Sequence, residues 1–108
     1  MRIRCKLTYK GACAAEIAEL DRQYARAHPE EKLDTPQIDI DLPALPPEGA
    51  VVWLPLDNPD TYSGLFYVVS YQFSPKWDYA LMLVHPEEPV GCAQLVAEAG
   101  WKYMWQMK

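Results

Sequence analysis

The chain has 108 residues, 50% of them apolar and 23% charged, with a net charge of −5. These totals fit one globular domain, residues 1–108, able to fold without metal or disulfide help, and they exclude a disordered segment. The acidic balance also works against nonspecific attraction to nucleic acid or anionic lipid.

In chain order, Ile3, Cys5, Leu7 and Tyr9 alternate with Arg2, Arg4, Lys6 and Thr8, which predicts a half-buried strand with a cationic outer face. Gly11 ends it. Cys13, Ile17, Leu20, Tyr24 and Ala27 then fall on one stripe of an amphipathic helix, with Glu16, Glu19, Arg22 and Arg26 turned to water. His28-Pro29 stops that helix, because a residue before proline is pushed out of helical angles. Ile38, Ile40 and Leu42 alternate with Asp39 and Asp41 in a second, short strand. The prolines of Pro43–Pro47 lack the N–H donor and predict an extended connector.

Ala50 to Leu54 is a compact apolar run suited to a central strand, and Asp57-Asn58-Pro59-Asp60 reads as a turn. From Tyr62 to Phe73 the pattern places Leu65, Tyr67, Val69, Tyr71 and Phe73 on one face. Tyr79 to Val84 returns as the hairpin partner. Gly91 to Ala99 is a short helical candidate closed by Gly100, and Trp101, Tyr103 and Trp105 alternate with Lys102 and Met104 in a last strand. The expected fold is α+β. It has a mainly antiparallel sheet of five to six strands, one long amphipathic helix packed on a face, and one short helix near the C-terminus.

The charges are sorted along this order. Between Leu33 and Trp101 stand ten acids and one base, Lys76, while the first ten residues carry four bases and no acid. Lys102 and Lys108 add bases at the other end. If the first and last strands share a sheet face, the surface has a basic seam in an acidic shell. The three cysteines, Cys5, Cys13 and Cys92, are an odd number without paired spacing, as in reducing compartments. The N-terminus lacks the apolar run of a signal peptide, and no stretch approaches the roughly 20 apolar residues that span a bilayer. A soluble, cytoplasmic protein is expected, with no membrane partner.

Few residues offer chemistry. Cys92 follows Gly91 at the start of the short helix, where the macrodipole favours a thiolate, and His28 or His85 could serve as its base. The ordinary reading of such a cysteine is a small buried apolar group. Cys5 and Cys13 are eight apart on different elements and no Cys-x-x-Cys occurs, so no metal site and no cofactor are expected. Asp39 and Asp41 project about 7 Å apart on one side of a strand, which fits a carboxylate pair or a charged edge that blocks sheet-to-sheet pairing. The aromatics and bases of Trp101–Met107 suggest a stacking surface for single strands, but they point to opposite faces, as in a core strand.

The function expected from these features is a small non-enzymatic protein-binding module with an acidic surface. Its contacts would be Asp34, Asp39, Asp41, Asp57, Asp60, Glu87 and Glu88, and its partner a protein with a basic surface. In its sharpest form the acids imitate a phosphate backbone and inhibit a nucleic-acid-binding enzyme, with no direct nucleic-acid contact by this chain. The alternatives are a small cysteine- or carboxylate-dependent enzyme and a subunit of a homo-oligomer or larger assembly, a homodimer included.

Overall fold

A computed structural model of the chain describes residues 1–11, 13–54 and 64–107. Its elements run β1 (Arg2–Leu7), α1 (Ala14–Ala27), β2 (Pro36–Asp41), β3 (Val51–Trp53), β4 (Leu65–Gln72), β5 (Ala80–Pro86), α2 (Cys92–Glu98) and β6 (Lys102–Tyr103), then a 3-10 turn over Met104–Gln106. The predicted turn at Asp57–Asp60 lies outside the described residues.

The six strands form one sheet in the order β3-β4-β5-β1-β2-β6. The fold is α+β as expected, but the sheet is mixed rather than mainly antiparallel. β1 runs parallel to β5, with Ile3 opposite Ala80 and Leu7 opposite Val84. The reason is topological. The β4–β5 hairpin is inserted beside β1 instead of extending from β2, and a parallel neighbour must be reached by a long connection.

One side of the sheet is packed. Ile3, Cys5 and Leu7 of β1, Phe66 and Val68 of β4, and Met82 and Val84 of β5 are buried together with Ile17 of α1 and Leu95 of α2. Phe66 and Trp101 stack with ring centroids 5.4 Å apart. The bulge between Val68 and Ser70 changes the face that follows it, so Tyr71 rather than Ser70 or Gln72 joins the core side of Phe66 and Val68. That corrects the unbroken alternation expected from Leu65 to Phe73, and Phe73 lies largely exposed beyond the strand.

Both helices are shorter in reach than their sequence pattern suggests. The long amphipathic helix is a 14-residue α1 of which only Ile17 is buried. Leu20 is exposed and Tyr24 half-buried, because the C-terminal half of α1 is met by α2 and the chain after β5 rather than by the broad centre of the sheet. Two strand expectations also change. Val51–Trp53 is an edge strand, not a central one, with Trp53 72% exposed. The last strand is only two residues long. The Tyr103 amide donates to the Gln106 side chain, which helps turn the chain, and Trp105 leaves the core side to become exposed.

Candidate functional site

Two places bring polar side chains together, one on each side of the sheet. The first is the junction of β1, α1 and α2. Cys92 is 2% exposed. Its backbone N–H donates to Asp21 Oδ1 at 2.8 Å, and its thiol donates to Asp21 Oδ2 at 3.0 Å. The Tyr9 hydroxyl donates to the same Oδ2 at 2.5 Å and lies 2.9 Å from Cys92 Sγ. Asp21 therefore caps α2 from another helix, satisfying an orphan N–H that the glycine N-cap cannot serve.

This environment suppresses thiolate chemistry. Burial, the largest influence, and the hydrogen bond to Asp21 outweigh the opposing effect of Tyr9, and the Cys92 thiol is pushed up to about 12. Neither histidine is among its hydrogen-bond partners. His28 stacks on Tyr24 at 4.1 Å, and His85 packs against Tyr67 at 5.2 Å with Nδ1 near Pro86 O. The cysteine–histidine arrangement considered from sequence is thus not formed, and the junction acts as a polar tie between helices. Among the described residues no group of three His, Cys, Asp or Glu is placed to hold a metal ion.

The second place is the sheet face without helices. Register puts Arg2, Arg4 and Lys6 of β1 on it, beside Asp41, Asp39 and Gln37 of β2, with Lys102 of β6 beyond Gln37. β1 and β6 do not pair, but they share this face across β2, so the bases of both chain ends meet on one surface. Lys108 lies outside the described residues.

Asp39 is not free on that surface. Arg4 Nε donates to its Oδ1 at 2.8 Å, and Arg2 Nη2 donates to its Oδ2 at 2.9 Å. The hydrogen bond from Arg4, the largest influence, and that from Arg2 hold the Asp39 carboxyl below the usual range against a partial burial penalty. Arg2 also reaches Asp78 at 2.8 Å. The Arg4 guanidinium lies 4.2 Å from the centroid of the Tyr79 ring, which stacks on Trp77 at 5.1 Å. β6 covers β2 only at Pro36 and Gln37, so Asp39 and Asp41 lie on the stretch of β2 beyond that pairing, where charge on an open edge fits the edge-blocking reading, while Asp39 is also held by two arginines.

Beside these pairs lies a cavity of about 340 Å³. Lys6, Gln37, Trp77, Tyr79, Met104 and Leu81 contribute to its walls. Four polar side chains, Arg4 and Gln72 among them, face five apolar or aromatic ones, so its walls are about equally polar and apolar. The sequence pattern signalled the cations of β1 and Lys102 but gave no signal for Gln37 or for Trp77 and Tyr79, which come from the hairpin connection. Asp21 was also missed. Its place four residues after Ile17, on the flank of the inward stripe, was the available clue.

The other acidic candidates differ in exposure. Asp34 is half-buried and accepts the Thr35 N–H at 2.8 Å, whereas Asp41, Glu87 and Glu88 are exposed. Asp57 and Asp60 lie outside the described residues. No helix among the described residues is long and apolar enough to cross a membrane.

The arrangement is a two-layer α+β sandwich: the helices pack on one sheet face, and the other face presents cationic and aromatic side chains. The chain has no significant match to any protein-family model, curated protein or solved structure.

Proposed function

We propose that the chain is a protein-binding module without chemistry of its own, and that it docks through the helix-free face of its sheet. One observation carries this reading. Large side chains of the types that anchor interfaces, Trp77, Tyr79 and Met104, surround a cavity on the face that the chain leaves without helices. Trp53, strongly exposed on the face opposite Val52, extends the apolar area toward β3. The suppressed thiol of Cys92 works against the enzymatic alternative.

The exposed carboxylates of Asp41, Glu87 and Glu88, with the net charge of −5, support a second reading. In it an acidic surface meets a basic partner, and in its sharpest form occludes a nucleic-acid-binding enzyme. Affinity capture from the source cell, quantified by mass spectrometry, separates the two. A Trp77→Ala/Met104→Ala bait is expected to lose the partner that wild type captures, while a Glu87→Gln/Glu88→Gln bait retains it. The opposite pattern would transfer the function to the acidic surface. Recovery of nothing but further copies of this chain would make it the subunit of a homo-oligomer.

A further inference from the structure

Three cation or amide donors stand in one row on the helix-free face, and none has an acceptor from the described residues. Lys6, Gln37 and Lys102 are successive register partners on β1, β2 and β6. Neither Lys6 nor Lys102 has a carboxylate within ion-pairing distance among the described residues, in contrast to Arg2 and Arg4 one step away. Gln37 is 5% exposed, makes no hydrogen bond through its side chain to a described residue, and lines both the cavity beside Trp77 and the adjoining hollow beside Lys102. The Gln37 amide opens into the cavity, where solvent reaches it, and stands between two ammonium groups that have no carboxylate partner among the described residues, so the row offers three donors to one anionic acceptor.

Resting on the reading of this face as the docking surface, we propose that the row of Lys6, Gln37 and Lys102 receives a carboxylate side chain of an extended, acidic and apolar peptide segment of the partner. The surroundings select that occupant. The hollow at Lys102 shares Gln37 and Met107 with the central cavity, which in turn shares Trp77 and Tyr79 with a cleft reaching Phe73 and Met1. The track crosses five strands, from Lys102 on β6 to Gln72 on β4, or about 19 Å at the usual strand spacing. That is the span of roughly six extended residues.

Its two ends differ in chemistry. At the Lys102 end the Asp39 carboxylate is already held by Arg2 and Arg4, which leaves the Lys102 ammonium as the unpaired charge among the described residues. The end at Phe73 and Trp77 is mostly apolar and aromatic, its Arg2 and Asp78 being paired with each other. A carboxylate therefore seats at one end and apolar side chains at the other. A phosphate group fits less well, because Arg4, the guanidinium nearest the row, already has Asp39 as its partner. A polyanion is opposed by the overall charge of −5.

The test uses the full chain, labelled with 15N, and capped peptides of about six residues in which leucine alternates with either glutamate or glutamine, a length set by the strand spacing. The glutamate peptide is expected to shift the Gln37 side-chain amide and Trp77 indole signals, and the glutamine peptide to bind about tenfold more weakly, as loss of a charge-assisted contact implies. Lys6→Gln/Lys102→Gln, checked for an unchanged thermal midpoint, is expected to abolish that preference. Equal binding of both peptides, or an undiminished preference in the double variant, would overturn the proposal. So would inorganic phosphate shifting the Gln37 amide at concentrations where acetate does not.

The two readings fail differently. If Trp77→Ala/Met104→Ala releases the captured partner but Lys6→Gln/Lys102→Gln does not, the carboxylate seat fails and the docking face stands. If neither variant releases it, the docking face itself fails.

Discussion

Replacing Asp21 by alanine removes one carboxylate that serves three donors. Oδ1 accepts the Cys92 N–H at 2.8 Å, and Oδ2 accepts the Tyr9 hydroxyl at 2.5 Å and the Cys92 thiol at 3.0 Å. Hydrogen bonds to a charged group contribute about 1.5–3 kcal/mol each, but three on one side chain are not additive, and water reaches part of this junction. A loss of roughly 3 kcal/mol follows, mostly from stranding the α2 N–H and the Tyr9 hydroxyl. With an unfolding entropy near 2.1 cal/mol/K per residue, 108 residues give about 0.23 kcal/mol per kelvin, so the midpoint should fall by about 13 °C.

Thermal melts followed by circular dichroism at neutral pH measure this directly, and urea melts give the free energy independently. Asp21→Asn keeps one acceptor for the Cys92 N–H but turns an amide donor toward two others, so it should cost less than alanine. A loss below about 1 kcal/mol for Asp21→Ala would refute the view that this carboxylate ties α1 to α2.

Four further outcomes are expected. Iodoacetamide should modify Cys92 more slowly than a model thiol at neutral pH, since its thiol is held up to about 12, and Asp21→Ala should speed the reaction. Stability should fall as pH rises from about 9 toward 12. Cys5 and Cys92 are each raised from 9.0 to about 12, so the unfolded chain loses those protons first, and urea midpoints across that window check the sign. Gly11→Ala should destabilise by about 1–3 kcal/mol in chemical denaturation, because the backbone there has φ +140° and an added Cβ would stand 2.6 Å from His85 Cδ2. Asp39→Asn should cost about 1 kcal/mol or less through its partly exposed Arg4 pair, with the wild-type advantage vanishing in acid as pH falls through the lowered Asp39 titration.

Periodicity was a good guide where one face of an element is buried along its whole length. Ile3, Cys5 and Leu7 repeat every second residue and all three are buried in β1, and His28-Pro29 stops α1 at Ala27 as the backbone restriction requires. It was a poor guide where tertiary contacts intervene. The run Val51–Trp53 reads as a core strand, yet it lies at the sheet edge, because composition does not encode strand order. The Val68–Ser70 bulge leaves no mark in an alternating sequence, and it moves Tyr71 to the core side.

The candidate site was legible only in part. The cationic outer face of β1 followed from alternation, but its meeting with Lys102 depends on β2 lying between β1 and β6. Gln37 and Asp39 differ by one step of register, and that step separates an amide without a side-chain hydrogen bond to any described residue from a carboxylate held by two arginines.

The central claim is that recognition takes place on the helix-free face, and radical footprinting of the chain bound to its captured partner tests it most directly. Trp77 and Met104 on that face should become protected from oxidation, while Tyr9 and Tyr24 beside the helices should remain as reactive as in the free chain. Protection of Tyr9 and Tyr24 with Trp77 and Met104 left reactive would contradict the account.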